Sequence, residues 1–147
     1  MPNSGRRQSE EAAAFFAAAY AAIQEIPYGK VTSYAHIARL IGRPECPRQV
    51  GVCLKHLPDD PTQRFNNKTV PWQRVINAKG GISPRGPGST ARQAAALRKE
   101  GVQVDRNAMG EFSVDFSTYG WFPDMLPSEE EELEDSDEAS VKGESAG

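Results

Sequence analysis

Cysteine and histidine are scarce in this sequence, and long apolar runs are missing. The 147 residues include two cysteines, Cys46 and Cys53, and two histidines, His36 and His56. Two cysteines cannot build a disulfide framework, and their spacing from the histidines fits no standard zinc site. No apolar run approaches the roughly 20 residues that a membrane-spanning helix needs. These absences exclude a disulfide scaffold and a transmembrane protein, and they predict no metal, no cofactor and no membrane partner.

The charges are divided unevenly along the chain. From Asp124 onward there are ten acidic residues and one basic residue, a net charge of −9, whereas residues 1–123 carry 16 Lys+Arg against 10 Asp+Glu, a net charge of +6. The acidic stretch has almost no apolar side chains and cannot build a core. We therefore expect a flexible segment over 1–8, one basic folded domain over 9–123 that favours a polyanion, and a disordered acidic tail over 124–147.

Three helices are predicted in the first third of the domain. The first begins at Ser9, a good N-cap that is followed by two glutamates, and runs to the residues before Pro27. In "VTSYAHIARLIG", Ser33 can cap a second short helix that Gly42 ends. In "PRQVGVCLKHL", Pro47 suits the first turn of a third helix. The last two helices, joined by a tight turn, form a predicted helix-turn-helix.

The remainder of the domain alternates loops with short regular elements. Residues 58–69 have loop composition, and Val75 and Ile76 form a short apolar run before a loop rich in glycine, proline and arginine. "STARQAAALRKEG" predicts a capped helix. Alternating apolar residues between positions 102 and 116 predict a two-stranded ribbon. The predicted fold class is mainly α with a small β ribbon.

The outward face of the third helix has two interpretations. It offers Arg48, Gln49, Val52, Lys55 and His56. Gly51 in mid-helix costs about 1 kcal/mol against alanine, a cost explained if a nucleic-acid backbone must come close. The alternative is that two short helices simply pack together, and pattern alone leaves the two interpretations even. Cys53 lies on the apolar stripe and is expected in the core.

Five motifs in order carry a resemblance to a known family. They are "EIPYGKVTSYAHIARLIG", "RQVG", "VPWQRVI", "ISPRG" and "LRKEGV", and together they span about residues 12–122. The chain resembles the O6-alkylguanine-DNA alkyltransferase family, specifically its alkyltransferase-like branch. The resemblance implies the family's C-terminal-type domain, a winged-helix-like fold that contains the helix-turn-helix.

The reactive motif of the catalytic family is altered in this sequence. Where that family has Pro-Cys-His-Arg, this chain has Pro71, Trp72, Gln73 and Arg74. Alkyl transfer needs a thiolate or a comparable nucleophile, which an indole cannot supply, and an amide cannot accept a proton as a neutral imidazole does. Glu100 matches the glutamate that orients the missing histidine. We therefore expect no enzymatic activity, and the role of Gln73 stays open.

The resemblance also implies how the chain binds DNA. Tyr34 matches the tyrosine that rotates a 3′ phosphate, Arg48 matches the arginine finger that fills the vacated base stack, and Arg85 matches a pocket-side arginine. Predicted contacts for binding and flipping DNA are Tyr34, Arg48, Gln49, Gly51 and Lys55, and the predicted lesion pocket comprises Pro71, Trp72, Gln73, Arg74, Val75, Ser83, Arg85 and Gly86.

The function implied is that of a damage sensor. A monomer would bind double-stranded DNA through the minor groove, flip O6-alkylguanine into the pocket and mark it for nucleotide excision repair proteins, and we expect a nuclear location. Two alternatives compete with this prediction. One is an active alkyltransferase that uses Cys46 or Cys53, and the other is a helix-turn-helix transcription regulator that reads the major groove.

Overall fold

The computed structural model describes the backbone of residues 2–135 and the side chains of residues 9–135. Before residue 127 its α-helices are α1 (Pro2–Ile23), α2 (Tyr34–Leu40), α3 (Pro47–Lys55), α4 (Ser89–Lys99) and α5 (Phe116–Tyr119). Its strands are β1 (Thr32–Ser33), β2 (Val75–Ile76), β3 (Asp105–Arg106) and β4 (Phe112–Ser113), and a 3₁₀ turn covers Trp72–Arg74. The predicted mainly helical fold with a small β component is confirmed.

Helices α2 and α3 form the predicted helix-turn-helix. The Ser33 side chain caps α2 by accepting a hydrogen bond of 3.1 Å from the backbone N–H of His36. Gly42, just after α2, has φ of +77°, which suits the left-handed turn that ends a helix. Pro47 occupies the first turn of α3, as predicted, because its missing N–H costs nothing there.

The β1–β2 sheet lies between two clusters of the core, and the β3–β4 sheet packs on the second cluster. Strand β1 pairs in parallel with β2, and Thr32 lies opposite Val75. Successive side chains of a strand point to opposite faces, so Val75 packs with α1, α2 and α3 while Ile76 packs with α4 and the β3–β4 hairpin. The antiparallel β3–β4 pair confirms the predicted ribbon. A strand as short as β1 has no periodicity that a sequence could show.

The N-terminal helix differs from the prediction at its start. Helix α1 begins at Pro2, so the predicted N-cap at Ser9 is wrong, and Ser9 lies inside the helix. Proline is tolerated in a first helical turn, and the sequence offers no second proline that would stop the helix before Ser9. Whether segment 1–8 is flexible, as predicted, stays a prediction.

Farther along α1, the buried hydroxyl of Tyr20 donates a hydrogen bond to the Cys53 carbonyl of α3.

The predicted boundary between domain and tail is also placed too early. Leu126 is 8% exposed and belongs to the core cluster around α1, and residues 127–135 are helical. The Glu25 carboxylate accepts hydrogen bonds of 2.8 Å from both the backbone N–H and the hydroxyl of Ser128. Disorder from residue 124 is therefore wrong for 124–135, because one buried leucine and this cap attach the segment. Residues 136–147 of the predicted tail lie outside the described residues.

Candidate nucleic-acid interface

A cavity of about 330 Å³ opens between α3, the 3₁₀ turn and α4, and we call it the Trp72 cavity. Trp72 is half-buried, with part of its ring packed on the core. The charged lining residues are three cations and one acid, a balance that favours an anionic ligand. The lining comprises Leu54, Lys55, Leu57, Asp59, Asn67, Trp72, Arg85, Ser89, Arg92 and Gln93.

A second concavity of about 300 Å³, the outer groove, follows the exposed face of α3. Lys55 and Arg85 line both this groove and the Trp72 cavity, so the two concavities adjoin each other. The groove lining includes three cations and no acid. Its residues are Tyr34, Pro47, Arg48, Gly51, Val52, Lys55, Ser83, Pro84 and Arg85.

Arg85 connects the two concavities through hydrogen bonds. Its Nη2 donates to the Tyr34 hydroxyl oxygen at 2.7 Å and to the Val75 carbonyl at 3.0 Å, and its Nε donates to the same hydroxyl oxygen at 3.2 Å. The guanidinium carbon lies 5.4 Å from the centroid of the Tyr34 ring, a cation–π distance. Arg85 therefore fixes the tyrosine of the outer groove against the strand that follows Trp72.

The side chains of Gln73 and Arg74 turn away from the Trp72 cavity toward Glu100. Gln73 Nε2 donates to Glu100 Oε2 at 2.6 Å, and Arg74 Nε donates to Glu100 Oε1 at 2.9 Å. The backbone N–H of Gly29 also donates to Oε1, at 2.8 Å, and Arg74 Nη1 donates to the Ile26 carbonyl at 2.7 Å. Since the Glu100 side chain is 5% exposed, these donors are what makes its buried charge tolerable. The open question about Gln73 has an answer: its amide binds Glu100.

The predicted pocket residues do not all line one cavity. Trp72 and Arg85 line the Trp72 cavity, whereas Ser83 lines the outer groove. Val75 is fully buried and presents its carbonyl to Arg85. Pro71, Gln73 and Arg74 instead line a separate polar depression of about 280 Å³ next to α1, and Gly86 is exposed and lines none of these concavities.

The predicted DNA-contact residues lie together with one exception. Tyr34, Arg48, Gly51 and Lys55 all line the outer groove, and Gln49 is exposed on α3 outside that lining. A Cβ added to Gly51 would lie 3.9 Å from the Tyr34 ring, an ordinary contact. The protein interior therefore does not require glycine at this position.

Both cysteines lie away from the Trp72 cavity lining. Cys53 is fully buried, as predicted, and burial raises the pKa of its thiol to about 12. Cys46 is 8% exposed and precedes α3. His36 of α2 is buried, and its Nε2 lies 2.7 Å from the Pro123 carbonyl. A short helix gives little sequence signal of which polar side chain a distant segment will cover.

Sequence reasoning missed Gln93. It is 2% exposed, lies in α4 beside the buried Ala94 and Leu97, and lines the Trp72 cavity. A polar residue on the apolar stripe of a helix is a detectable signal, since buried amides need partners. What the pattern could not reveal is that the stripe borders a cavity.

Within residues 9–135, no group of three His, Cys, Asp or Glu side chains could hold a metal ion. The described helices are also too short or too polar to cross a membrane.

The geometry agrees with comparisons to known proteins. A family model described as the 6-O-methylguanine DNA methyltransferase DNA-binding domain matches residues 14–102. The chain belongs to this family.

Similar proteins include members of the alkyltransferase-like branch, which confirms the predicted resemblance. Alkyltransferase-like protein 1 of Schizosaccharomyces pombe is 41% identical over 110 residues, which cover 74% of this chain and 95% of that protein. The DNA base-flipping protein of Escherichia coli is 41% identical over 99 residues, 67% of each chain. The crystal structure of S. pombe Atl1 in complex with damaged DNA containing O6-carboxymethylguanine matches with a TM-score of 0.65 at 42% identity, and the match covers 74% of this chain and 95% of that one.

Proposed function

We propose that the protein is a non-enzymatic sensor that binds duplex DNA containing O6-alkylguanine and holds the damaged base out of the helix. The observation that carries the proposal is the position of Trp72, which occupies the nucleophile position of the catalytic family and lines a cavity of about 330 Å³. Ligand pockets typically measure about 300–1,000 Å³. An indole at the wall of such a cavity can stack on a flipped base, and this stacking stabilises the complex by roughly 1–3 kcal/mol.

The reactive groups argue against alkyl transfer. Trp72 has no nucleophilic lone pair and cannot accept an alkyl group as a thiolate does. Gln73 donates a hydrogen bond from its amide to Glu100 at 2.6 Å and cannot act as the base that activates a thiol. A Cys53 thiol with a pKa raised to about 12 is almost wholly protonated near neutral pH. Neither cysteine lines the Trp72 cavity. Binding without chemistry is the function that these residues support.

The outer groove supplies the groups that base flipping needs. Flipping costs a few kcal/mol, so the protein must fill the vacated stack and stabilise the rotated backbone. Arg48 is exposed on α3 at the groove and can enter the stack. The Tyr34 hydroxyl oxygen accepts from Arg85, and its own proton has no acceptor within residues 9–135, which leaves it able to donate to a phosphate oxygen.

The finer parts of the proposal rest on family resemblance, except for the location. They are docking of the small residues of α3 in the minor groove, bending of the DNA, action as a monomer and hand-off to nucleotide excision repair. A nuclear location is proposed because a DNA-binding protein works where DNA is and because the chain has a long acidic tail. The relatives named alkyltransferase-like protein 1 and DNA base-flipping protein, and the complex of S. pombe Atl1 with damaged DNA, support the lesion-binding part. The net charge of +6 on residues 1–123 supports attraction to DNA.

Intact-protein mass measurement tests the absence of chemistry. The protein is incubated with excess duplex that carries one O6-methylguanine, and its mass is compared before and after. We expect no change in mass together with a stable complex in a gel-shift assay. A gain of one methyl group would show transfer and would reject the sensor.

A matched set of oligonucleotides separates the sensor from a sequence-specific regulator. Each of several unrelated sequences is prepared with guanine and with O6-methylguanine at one site. A sensor prefers the methylated member of every pair, whereas a transcription regulator prefers one sequence whether or not it is damaged. Affinity for both members should fall as salt rises, because counterions are released on binding.

A further inference from the structure

We propose that Ser128 is a phosphorylation site for an acid-directed serine/threonine kinase, and that its phosphorylation releases the helical segment 127–135 from the turn after α1. Neither the Trp72 cavity nor the outer groove is lined by a residue beyond Gln93, so this site is separate from both. The proposal goes beyond the function proposed above and does not depend on it.

A single side chain attaches the segment to the domain by hydrogen bonds. Glu25, two residues after α1, accepts a bond of 2.8 Å on Oε1 from the Ser128 backbone N–H and a bond of 2.8 Å on Oε2 from the Ser128 hydroxyl. Within residues 9–135, these are the only side-chain hydrogen bonds between segment 127–135 and the rest of the chain, and all nine residues of the segment are exposed. A helix this short is marginal in water without tertiary contacts. The Glu25 contact therefore determines where the segment lies.

Ser128 has the features of a kinase substrate. Its side chain is exposed, and the four residues that follow it are all glutamates. A kinase with a basic substrate cleft selects such a sequence, because its cations pair with the carboxylates after the serine. An exposed helix with few tertiary contacts opens locally at a small cost, which gives the kinase access to the backbone around the hydroxyl.

Ser117 offers a matched comparison within the same chain. It is also exposed, and its backbone N–H and its hydroxyl both donate to Asp115 Oδ1, at 2.9 and 2.7 Å. The three residues after it are Thr-Tyr-Gly, and none of them is acidic. The two hydroxyls thus have similar hydrogen bonds, but only Ser128 precedes an acidic run. An acid-directed kinase should modify Ser128 and leave Ser117 unmodified.

Phosphorylation turns the attractive contact with Glu25 into a repulsive one. The γ-phosphoryl group of ATP is transferred to Ser128 Oγ: a bond forms between phosphorus and Oγ, the bond from phosphorus to the bridging oxygen breaks, ADP leaves, and the hydroxyl proton passes to the base of the kinase. Oγ then has no hydrogen to donate, and a phosphate with a charge of about −1.5 to −2 lies beside the Glu25 carboxylate. Neither ion pair found within residues 9–135 includes Glu25, so no paired cation offsets the repulsion there.

Peptide mass mapping and amide hydrogen exchange test the two steps. Full-length protein with Ser136→Ala, which removes the next serine of the acidic stretch, is incubated with ATP and an acid-directed kinase. We expect phosphate on Ser128 and none on Ser117. Amide exchange of residues 129–135 should then become at least about tenfold faster, the effect of one lost hydrogen bond to a charged group. Exchange in α4, which is far from Ser128 in sequence, should not change.

Glu25→Gln is the matched control, because it removes the negative charge but keeps the shape of the side chain. The glutamine oxygen can accept from the Ser128 N–H, and its amide can donate to a phosphate oxygen. Phosphorylation of this variant should therefore change the exchange of residues 129–135 by less than about twofold. An unmodified Ser128, exchange that phosphorylation leaves unchanged, or equal acceleration in Glu25→Gln would overturn the proposal. The comparison of wild-type Glu25 with and without phosphate decides the matter if the variant does not fold.

Discussion

Trp72 and Gln73 are adjacent in one 3₁₀ turn, yet their side chains serve different parts of the molecule. Trp72 lines a cavity beside α3 and α4, whereas Gln73 binds the Glu100 carboxylate and lines a separate polar depression next to α1. The resemblance described above assigns these two positions to the nucleophile and its proton acceptor in the catalytic family. In this chain Trp72 is a candidate contact for a bound base, and Gln73 makes a structural hydrogen bond.

The difference shows that one turn has a hydrogen-bonded side and an open side. Glu100 accepts three hydrogen bonds, from Gln73, Arg74 and Gly29, so the turn is tied to the end of α4 and to the loop after α1. A rigid turn holds the Trp72 ring at the cavity wall. Substitutions on the Glu100 side should therefore change folding stability, and those on the cavity side should change binding.

Arg74→Ala should have the largest effect, on stability. The Arg74 and Glu100 side chains are 14% and 5% exposed, and removing one partner leaves a buried charge at a cost of about 3 kcal/mol. Chemical denaturation measures the loss of unfolding free energy. Arg92→Ala is the matched control, because Arg92 is exposed and should change stability by less than about 0.5 kcal/mol. Similar losses in both variants would refute the structural role of the buried pair.

Trp72→Ala should have the next largest effect, on lesion recognition. Loss of stacking predicts a decrease in affinity for O6-methylguanine DNA of about 2 kcal/mol, roughly thirtyfold, with a much smaller decrease for undamaged DNA. Fluorescence anisotropy of labelled duplexes measures both affinities. An unchanged preference for the lesion would mean that the indole only fills space left by the missing cysteine.

Gln73→Ala should lower folding stability and leave lesion recognition unchanged, the opposite of Trp72→Ala, and its effect should be smaller. Removal of its 2.6 Å bond leaves one Glu100 oxygen short of a donor and should cost about 1.5 kcal/mol of unfolding free energy. The ratio of lesion affinity to plain-DNA affinity should stay close to that of the wild type. If the ratio collapses while stability holds, the separation between the two sides of the turn is wrong.

Gly51→Ala should give the smallest change and tests the outer groove. A methyl group meets the Tyr34 ring at an ordinary 3.9 Å, so helix propensity should raise stability by up to about 1 kcal/mol. Affinity for damaged and undamaged DNA should fall together by a few fold, since the methyl group holds α3 away from the DNA. Thermal unfolding and anisotropy measure the two effects. Unchanged affinity would place the DNA elsewhere.

Several parts of the molecule could be predicted from its residues, and the failures have physical causes. Ser33 and Pro47 marked the starts of α2 and α3 because caps act locally. The split between Trp72 and Gln73 could not be predicted, because side-chain direction in a single 3₁₀ turn depends on what surrounds it. Gln93 and Leu126 were missed for a related reason: their roles come from partners far away in sequence.

The preference of the wild-type protein for damaged over undamaged DNA tests the central claim most directly. The protein is titrated, at fixed salt, into two versions of one duplex that carry O6-methylguanine or guanine at the same position. The two dissociation constants are then compared. The stacking of one base on Trp72 predicts binding to the lesion that is at least about tenfold tighter. Equal affinities for the two duplexes would contradict the proposal that this chain recognises alkylated guanine.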